Sequence, residues 1–334
     1  MPRRPAARPV PPSTAARGPA FRTADALVAG HTDWSTRSAR MPMPTRGVRT
    51  MVPLADVAER AAAFALVLPD DVVFSHETAA RLWGLPLPRR LQVGGGPLHV
   101  ARATPRPAIE RGDCVHHRGL ERRAVTEVGG LRVTSLADTW CDLIEGNHAV
   151  LSLGDAVMLG DAVVETLQPT RWVDEVLPQT DPRSEHWWSD PAVRGVRSLR
   201  SRLIARRTFR GRRLAREALR RIRPRVWSPT ESYSRLVVVD ADLPEPELNV
   251  RITHRDGGGF IGIGDLVWRR RGYRNRVVAE YNGAMHEPLP SRDSDHSRRL
   301  LLEDDGWKVL EVYSRNVFTA PGRFQLVSRL RSWL

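Results

Sequence analysis

The segment FIGIGDLVWRRRGYRNRVVAEYNG, residues 260–283, decides the fold of the C-terminal part of the chain. It contains two runs rich in β-branched and aromatic residues, 260–268 and 276–281, on either side of an arginine-rich turn. Gly272 followed by Tyr273 suits the two-residue loop of a type II′ hairpin, which needs glycine at its first central position. The segment therefore predicts a β-hairpin.

The hairpin predicts which side chains meet. Closing it at Gly272, or with a four-residue loop closed by Arg270 and Asn275, places Asp265 directly opposite Glu280. Directly opposed residues have Cβ atoms about 4.5–5.5 Å apart on one face of the sheet. The remaining residues of that face are apolar, namely Ile261, Ile263, Val267 and Val278.

Two carboxylates in an apolar stripe are costly, because like charges about 5 Å apart repel by roughly 3 kcal/mol at an effective dielectric near 20. One carboxyl group is therefore protonated, or a cation lies between the two. Mg²⁺ binds one or two carboxylates and leaves positions for water and phosphate oxygens. The pair thus predicts a site for Mg²⁺ or Mn²⁺, and the alternative is that one acid forms an ion pair with Arg235 or Arg298.

The sequence around the hairpin predicts a small α/β domain. Ser228-Pro229-Thr230-Glu231 has the pattern of a helix start, with a capping serine, proline in the first turn and glutamate at the third helical position. Strands are predicted at 247–253, 260–268 and 276–281, followed by a helix over 295–305 that Gly306 ends and a strand at 307–313. The predicted order is α-β-β-β-α-β.

Several motifs in this order resemble the very-short-patch-repair-type endonuclease domain of the PD-(D/E)XK nuclease superfamily. They are Glu231-Ser232 with Arg235, Gly264-Asp265-Leu266-Val267-Trp268, Ala279-Glu280-Tyr281-Asn282-Gly283 with His286, Arg298, and Gly306-Trp307-Lys308-Val309-Leu310. The resemblance covers residues 228–318. It implies a restriction-endonuclease-like core and metal-dependent phosphodiester cleavage, with Asp265 and Glu280 as metal-binding acids and Glu231 as the acid from the first helix.

Four further residues leave alternatives open. Glu231 is either the capping residue alone or also a metal ligand. His286 is either a general base near neutral pH or a solvated loop residue, and Arg298 either holds a phosphate or neutralises the acids. Asn282 departs from the family pattern, which has Lys or Asp at this position. An amide coordinates metal or orients water but cannot exchange a proton, so this departure concerns catalysis more than metal binding.

The net charge of +14 is concentrated in particular segments. Residues 194–225 contain 14 arginines and a single acid, Glu217, and apolar residues at helical spacing predict a pair of basic amphipathic helices with Gly211 between them. Such a surface suits a polyanion, with DNA favoured over RNA. The predicted phosphate contacts, each with a solvated surface as the alternative, are Arg206, Arg207, Arg210, Arg212 and Arg213 of this segment, and Arg269, Arg270, Arg271 and Arg274 at the hairpin tip.

The N-terminal region carries a second resemblance. Residues 45–50, 74–84 and 130–143 (GLRVTSLADTWCDL) resemble antitoxins of abortive-infection type IV toxin–antitoxin systems, whose N-terminal module is a DNA-reading winged helix-turn-helix. The corresponding stretch here, 34–44, is interrupted by prolines. We therefore predict a mixed α+β region that is either a degenerate winged helix or a scaffold that positions DNA.

The predicted organisation has five parts: a disordered basic tail (1–23), the mixed α+β region (24–177), a linker or insertion (178–193), the arginine-rich helical segment (194–226) and the nuclease-like domain (227–334). No apolar run reaches the roughly 18–20 residues that span a bilayer. Cys114 and Cys141 form no disulfide framework, and we expect buried thiols in a reducing cytoplasm.

Three functions follow as hypotheses. The first is a metal-dependent DNA endonuclease. The second is a DNA-binding regulator or antitoxin whose nuclease-like domain is inactive, and the third is a nuclease that acts on RNA.

Overall fold

The computed structural model describes residues 20–36, 41–92, 95–170, 182, 184–269, 272–282 and 289–334. The chain forms two compact units, Met1–Gly146 and Asn147–Leu334. Each unit combines helices with a β-sheet, so the predicted mixed α/β class is confirmed. The division falls earlier in the chain than the boundary predicted after residue 177, because the helix at 153–167 packs on helices of the second unit.

The first unit is built on a mixed five-stranded sheet with the strand order β5-β4-β3-β7-β6. Strands β1 and β2 form a separate antiparallel pair. The elements in chain order are β1 (Ala20–Arg22), α1 (Thr23–Val28), α2 (Asp33–Thr36), β2 (Val48–Thr50), α3 (Val57–Ala65), β3 (Val73–Phe74), α4 (His76–Leu82), β4 (Leu98–Ala101), β5 (Cys114–His117), β6 (Val125–Val128), β7 (Leu131–Thr134) and α5 (Leu136–Asn147).

Several predictions for this unit can be compared with the structure. Ala20–Arg22 lies in a strand and not in the predicted basic tail, because its backbone pairs with Val48–Thr50, and Thr23 begins α1. Residues 1–19 of the predicted tail lie outside the described residues. Helix α4 follows the extended residue Ser75, whose side chain makes no capping hydrogen bond, and precedes Gly84, whose φ of 72° suits glycine. Within 34–44 the structure describes only the end of the short helix α2 and residues 41–44, so the degenerate winged helix stays a prediction.

The second unit contains the remaining elements. They are α6 (Leu153–Leu167), α7 (Arg194–Ala205), α8 (Arg212–Arg221), α9 (Pro229–Val239), β8 (Glu247–Thr253), β9 (Phe260–Trp268), β10 (Arg276–Tyr281), α10 (Leu289–Asp304), β11 (Trp307–Val312), α11 (Ser314–Phe318) and α12 (Ala320–Trp333). From α9 to β11 the order is α-β-β-β-α-β, as predicted.

The arginine-rich segment forms the predicted pair of amphipathic helices, α7 and α8. Leu199, Leu203 and Ile222 are buried, and Gly211 lies between the helices with a φ of 78°. Of the predicted linker before it, the structure describes 182 and 184–193, where two short 3₁₀ turns place the Trp187 side chain in a buried position.

The sheet of the second unit has the order β11-β10-β9-β8, with β11 parallel to β10 and the other neighbours antiparallel. Trp268 pairs with Val277, and Leu266 pairs with Ala279. This is the predicted register. Leu266 and Ala279 are the last paired residues, and Asp265 and Glu280 are the next residue on each strand. Val267 and Val278 pack with Leu302 of α10 on one face of the sheet.

The opposite face of this sheet packs against helices that the sequence analysis did not predict. Leu266 and Ala279 belong to a buried cluster with Val317 of α11 and with Leu326 and Leu330 of α12. Helix α9 contributes to the same cluster. The sheet is therefore covered by helices on both faces, which keeps the apolar row around Asp265 away from solvent.

The hairpin loop is longer than predicted. Among the described residues, the strand pairing ends at Trp268 and Val277. Two residues just before β10 bond the end of α12 instead. The Arg274 N–H donates to the Leu334 carbonyl at 3.2 Å, and the Asn275 side chain donates to the Trp333 carbonyl at 2.8 Å. Helix α10 also begins earlier than predicted, at Leu289.

Both cysteines are free, with Cys141 buried and Cys114 half-buried. No helix within the described ranges has the length and apolar character needed to cross a membrane.

Candidate active site

Asp265 and Glu280 lie on the two central strands of the second sheet, in the register that the hairpin predicted. The Asp265 carboxylate accepts a hydrogen bond from the Tyr281 backbone N–H at 2.8 Å, which fixes its orientation across the strand pair. The Glu280 side chain is 16% exposed and forms an ion pair with Arg298 at 2.8 Å. Both acids are therefore held in place by groups on neighbouring elements.

The electrostatics of the pair disfavour ionisation of Asp265. Burial raises its pKa to about 6; the Tyr281 N–H opposes this rise, the Glu280 charge adds to it, and Arg298 opposes it. Burial is the largest cause because an ionised carboxylate loses hydration in this apolar part of the sheet. A divalent cation would stabilise the ionised form directly.

Glu231 occupies the predicted position in the first turn of α9, where it is buried. The Ser228 side chain accepts from the Glu231 N–H at 3.3 Å, as expected for a capping serine. The Glu231 carboxylate accepts from the Ser228 hydroxyl at 2.7 Å and from the Trp227 N–H at 3.0 Å. Burial, and then the charge of Asp265, raises the pKa of Glu231. Ser228 is thus confirmed as the capping residue of α9, whereas the Glu231 carboxylate bonds the Trp227 N–H in place of the Ser228 N–H of a full capping box. The acid lies within electrostatic reach of Asp265.

The sequence analysis missed Asn249, which borders this site. It lies in β8 between Leu248 and Val250, whose partners on β9 place Asn249 beside Asp265. Its side-chain amide donates to the Glu231 carboxylate at 2.6 Å and to the Arg225 carbonyl at 2.7 Å. The only available signal was an asparagine inside a strand, where this residue type is uncommon.

Asn249 has a φ of 48°, an uncommon conformation for a strand residue. Strained backbone of this kind persists where the surroundings fix it, often at functional sites. The hydrogen bonds to Glu231 and Arg225 supply that restraint. Asn249 therefore joins the edge strand β8 to the acid on α9.

We expect Asn249→Ala to lower the free energy of unfolding by about 2–3 kcal/mol. The change removes two buried hydrogen bonds, one of them to a carboxylate, and it places a Cβ-bearing residue without a local hydrogen-bonding group at positive φ, which costs about 1 kcal/mol more. Asn249→Gly removes the amide but accepts the backbone conformation, so its loss should be smaller. Urea unfolding of both variants measures the difference, and equal losses would show that the backbone is not strained.

Arg298 forms an ion pair with Glu280. Such a pair is the alternative to a bound cation that the sequence predicted. The Arg298 guanidinium also donates to the Ile263 carbonyl at 3.0 Å, so it joins α10 to β9. Gly262 makes room for it, since a Cβ at this position would lie 2.7 Å from the Arg298 Cδ. Arg235, the other candidate partner, instead bonds Glu245 at 2.9 Å.

Glu311 extends the row of acids onto β11, where it pairs with Glu280 in the parallel register. It forms an ion pair with Arg299 at 3.0 Å and accepts a hydrogen bond from the Tyr313 hydroxyl at 2.6 Å. These partners neutralise Glu311, which distinguishes it from Asp265.

The two other predicted catalytic residues are Asn282 and His286. Asn282 is exposed, and its backbone N–H donates to the Val312 carbonyl at 2.8 Å. His286 lies outside the described residues.

The predicted phosphate-binding arginines divide into three groups. Arg207, Arg210, Arg213 and Arg274 are exposed. Arg269 is also exposed but forms an ion pair with Glu247 at 3.0 Å. Arg206 is buried, with its guanidinium over the Phe209 ring, and Arg212 bonds the Leu203 carbonyl at 3.2 Å. Arg270 and Arg271 lie outside the described residues.

The position of Arg206 corrects its predicted role in phosphate contact. A buried guanidinium cannot reach a nucleic-acid backbone, and Arg206 lies where the end of α7 packs toward the turn that precedes α8. Arg212 belongs to the same local turn, because its guanidinium donates a hydrogen bond to the Leu203 carbonyl of α7.

The donor set of the site suits a hard divalent cation. Asp265, Glu280 and Glu231 offer carboxylate oxygens, which Mg²⁺ and Mn²⁺ prefer over nitrogen or sulfur ligands. The raised pKa values of Asp265 and Glu231 indicate a place where positive charge is favoured. The ligand types present therefore fit the metal that the resemblance implies. The oxygens of the three carboxylates do not all lie within 4.8 Å of one another, so binding of one ion by all three would require their side chains to move closer together.

Comparisons with known proteins give relatives without an assigned activity. The chain is 33% identical over 139 residues to two uncharacterized proteins of Mycobacterium tuberculosis, one from strain CDC 1551 / Oshkosh and one from strain ATCC 25618 / H37Rv. The match covers 40% of this chain and 49% of each relative, so the chain spans about half the length of the relatives it matches. No protein-family model matches the chain, and no solved structure matches it.

Proposed function

We propose that the second unit hydrolyses phosphodiester bonds of nucleic acid, with DNA as the favoured substrate and with Mg²⁺ or Mn²⁺ as cofactor. The pairing of Asp265 with Glu280 inside an apolar sheet face carries this proposal. The α-β-β-β-α-β order and the mixed four-stranded sheet support it, because the resemblance to restriction-endonuclease-like nucleases implies the same arrangement.

Each acid has a distinct task in this proposal. Asp265 and Glu280 hold the ion from adjacent strands, and the Tyr281 N–H keeps the Asp265 carboxylate oriented. Glu231 adds the third carboxylate from α9, and Asn249 holds its position. A bound ion would supply an activated water and neutralise charge on the phosphate.

Arg298 lies beside the acids, where its guanidinium pairs with Glu280. A cation held by the acids would neutralise Glu280 in its place, and the guanidinium could then bind a phosphate oxygen. Substrate positioning is therefore its proposed role.

The test uses purified full-length protein with supercoiled plasmid, single- and double-stranded oligonucleotides, and RNA, in Mg²⁺ and in Mn²⁺. We expect cleavage that requires metal and is lost in Asp265→Ala and in Glu280→Ala. Glu303→Gln is the matched control, because Glu303 is an exposed acid of α10 that pairs with Arg299 and not with a residue of the proposed site. If RNA alone is cleaved, phosphodiester hydrolysis is supported and the substrate is RNA and not DNA.

A second candidate function is a DNA-binding regulator or antitoxin without cleavage. Two observations favour it: Arg298 already neutralises Glu280, and exposed Asn282 stands where the family pattern has a proton-exchanging residue. Binding of DNA without nicking in either metal would support this function over hydrolysis.

The exposed arginines of the α7–α8 segment give a separate prediction about binding. Replacing Arg207, Arg210 and Arg213 with Gln should weaken DNA binding about tenfold or more at low salt and reduce the slope of log affinity against log salt by about 2–3, because each lost phosphate contact removes about 0.9 from the slope. Fluorescence anisotropy at several salt concentrations measures both quantities.

The matched control for this prediction replaces Arg323 and Arg329 of α12, which are also exposed. It should leave the salt slope nearly unchanged. If the two sets of variants behave alike, the α7–α8 arginines act only through net charge.

A further inference from the structure

Three histidines of the first unit converge at one place. Each of His76, His99 and His117 offers a ring nitrogen, and these atoms lie within 4.8 Å of one another. The residues are far apart in sequence and come from three neighbouring segments of the five-stranded sheet. We propose that they bind one divalent transition-metal ion of the Zn²⁺ class.

The sheet brings the three residues together. Strands β3, β4 and β5 are adjacent; His99 lies in β4 and His117 in β5. His76 follows β3 through Ser75, whose backbone N–H donates to the His99 carbonyl at 3.0 Å. The backbone pairing of the sheet thus determines the positions of all three imidazoles.

The distances are close to those of a metal site. The His99 Nδ1 and His117 Nε2 atoms are 3.0 Å apart, and the His76 and His117 rings stack with centroids 3.5 Å apart. Zn²⁺ binds imidazole nitrogen at about 2.0–2.1 Å in tetrahedral geometry, so ligand nitrogens in such a site are about 3.3 Å from each other. Side-chain rotations and shifts of about 1 Å would complete that geometry.

The neighbouring groups orient the imidazoles as metal ligands require. The His76 Nδ1 atom shares a hydrogen bond of 3.0 Å with the Ser75 hydroxyl, and a proton on Nδ1 leaves Nε2 with its lone pair. Gly146 leaves space at that edge of the ring, since a Cβ there would lie 3.2 Å from the His76 Cδ2. The Glu77 carboxylate lies 3.0 Å from the His99 Nδ1 and adds a nearby oxygen.

His76 has a φ of 50°, an unfavourable conformation for a residue with a Cβ. Such strain persists where the surroundings impose it and is concentrated at ligand sites. Here it belongs to the junction between β3 and α4, which directs the imidazole to the other two rings. A metal ion would offset part of that cost.

This site differs in chemistry from the acids of the second unit. Imidazole nitrogens suit Zn²⁺, Cu²⁺, Ni²⁺ or Fe²⁺, whereas Mg²⁺ prefers oxygen ligands. Two sites with different metal preferences can therefore be distinguished in one protein. Asp265→Asn should leave zinc binding unchanged.

The test is metal analysis of untagged full-length protein after incubation with zinc and exhaustive dialysis. We expect about one zinc per chain in the wild type, and less than about a tenth of that in the double variant His99→Ala/His117→Ala. His116→Ala is the matched control, because His116 lies on the same strand with its side chain on the opposite face, and it should retain the zinc.

Cobalt titration provides a readout that does not depend on a variant. Co²⁺ bound by nitrogen ligands in a tetrahedral site gives intense visible absorption, so the wild type should show a band that saturates at one equivalent and is displaced by zinc. Circular dichroism checks that the variants are folded, and His99→Gln replaces the double variant if it is not. No zinc and no cobalt band in the wild type, or zinc retained in folded histidine variants, would overturn the proposal.

Discussion

Asp265→Asn is expected to reduce metal-dependent cleavage at least about 100-fold and, at the same time, to make the metal-free protein more stable at pH 7. The loss of activity follows from the loss of one of the two carboxylates opposed in the sheet. The gain in stability follows because wild-type Asp265 is ionised at pH 7 in a buried position that disfavours its charge. Asparagine still offers an oxygen to the Tyr281 N–H.

The pH dependence of this effect has a definite sign. Free aspartate ionises near pH 4, whereas burial raises the pKa of Asp265 to about 6 in the folded protein. Between these values the folded chain binds more protons than the unfolded chain, so the wild-type stability falls as the pH rises from about 4 to about 6 and then levels off. Asp265→Asn lacks this component, and we expect it to be more stable by on the order of 2–3 kcal/mol well above pH 6.

Urea unfolding of both proteins in the presence of EDTA, at pH values from 4 to 8, measures the difference. Glu247→Gln serves as the control, because Glu247 forms an ion pair with Arg269, whose side chain is 38% exposed. An Asp265→Asn variant that is less stable than the wild type at pH 7 would show that the carboxylate is a structural residue and not a site that requires a cation.

Arg235→Ala is expected to lower the free energy of unfolding by about 3–5 kcal/mol. The Arg235 side chain is 1% exposed and lies 3.6 Å from Asp161 and 2.9 Å from Glu245. Removing one partner of a buried ion pair leaves uncompensated charge, which costs more than the pair itself contributes. The effect is on folding, because Arg235 does not touch Asp265 or Glu280 in the contacts described above.

The control for this prediction is Arg299→Ala. Arg299 also bonds two acids, Glu303 and Glu311, but its side chain is 40% exposed. Exposed ion pairs contribute about 0–1 kcal/mol, so we expect a loss in that range. Equal losses for the two variants in urea unfolding would contradict the account of a buried network around Arg235.

The hairpin could be predicted from sequence because its information is local. A glycine in the turn and two runs of strand-forming residues determine the register, and the register places Asp265 opposite Glu280 without further knowledge of the fold. The helix start at Ser228 is local in the same sense. The exact loop was not predictable, because Asn275 and Arg274 bond residues at the far end of the chain.

Features that depend on distant parts of the chain escaped the sequence analysis. Asn249 is 18 residues from Glu231, to which its amide donates a hydrogen bond, and its strained backbone leaves no periodic signal. The histidines 76, 99 and 117 have no spacing that identifies them as a set, and only the order of strands β3, β4 and β5 brings them together. Residues 153–167 were assigned to the first region for the same reason, since the helices on which α6 packs follow it by dozens of residues.

The most direct measurement of the central claim is the rate of nicking of supercoiled plasmid by the wild type and by Glu280→Gln, side by side, in Mg²⁺, in Mn²⁺ and in EDTA. Glu280→Gln keeps the size and shape of the side chain but removes the charge that pairs with Arg298 and would hold the ion. We predict nicking by the wild type in metal, none in EDTA, and a loss of at least about 100-fold in the folded variant. Equal nicking by the two proteins, or none by a wild-type protein that binds the plasmid, would contradict the claim that these acids form a nuclease site.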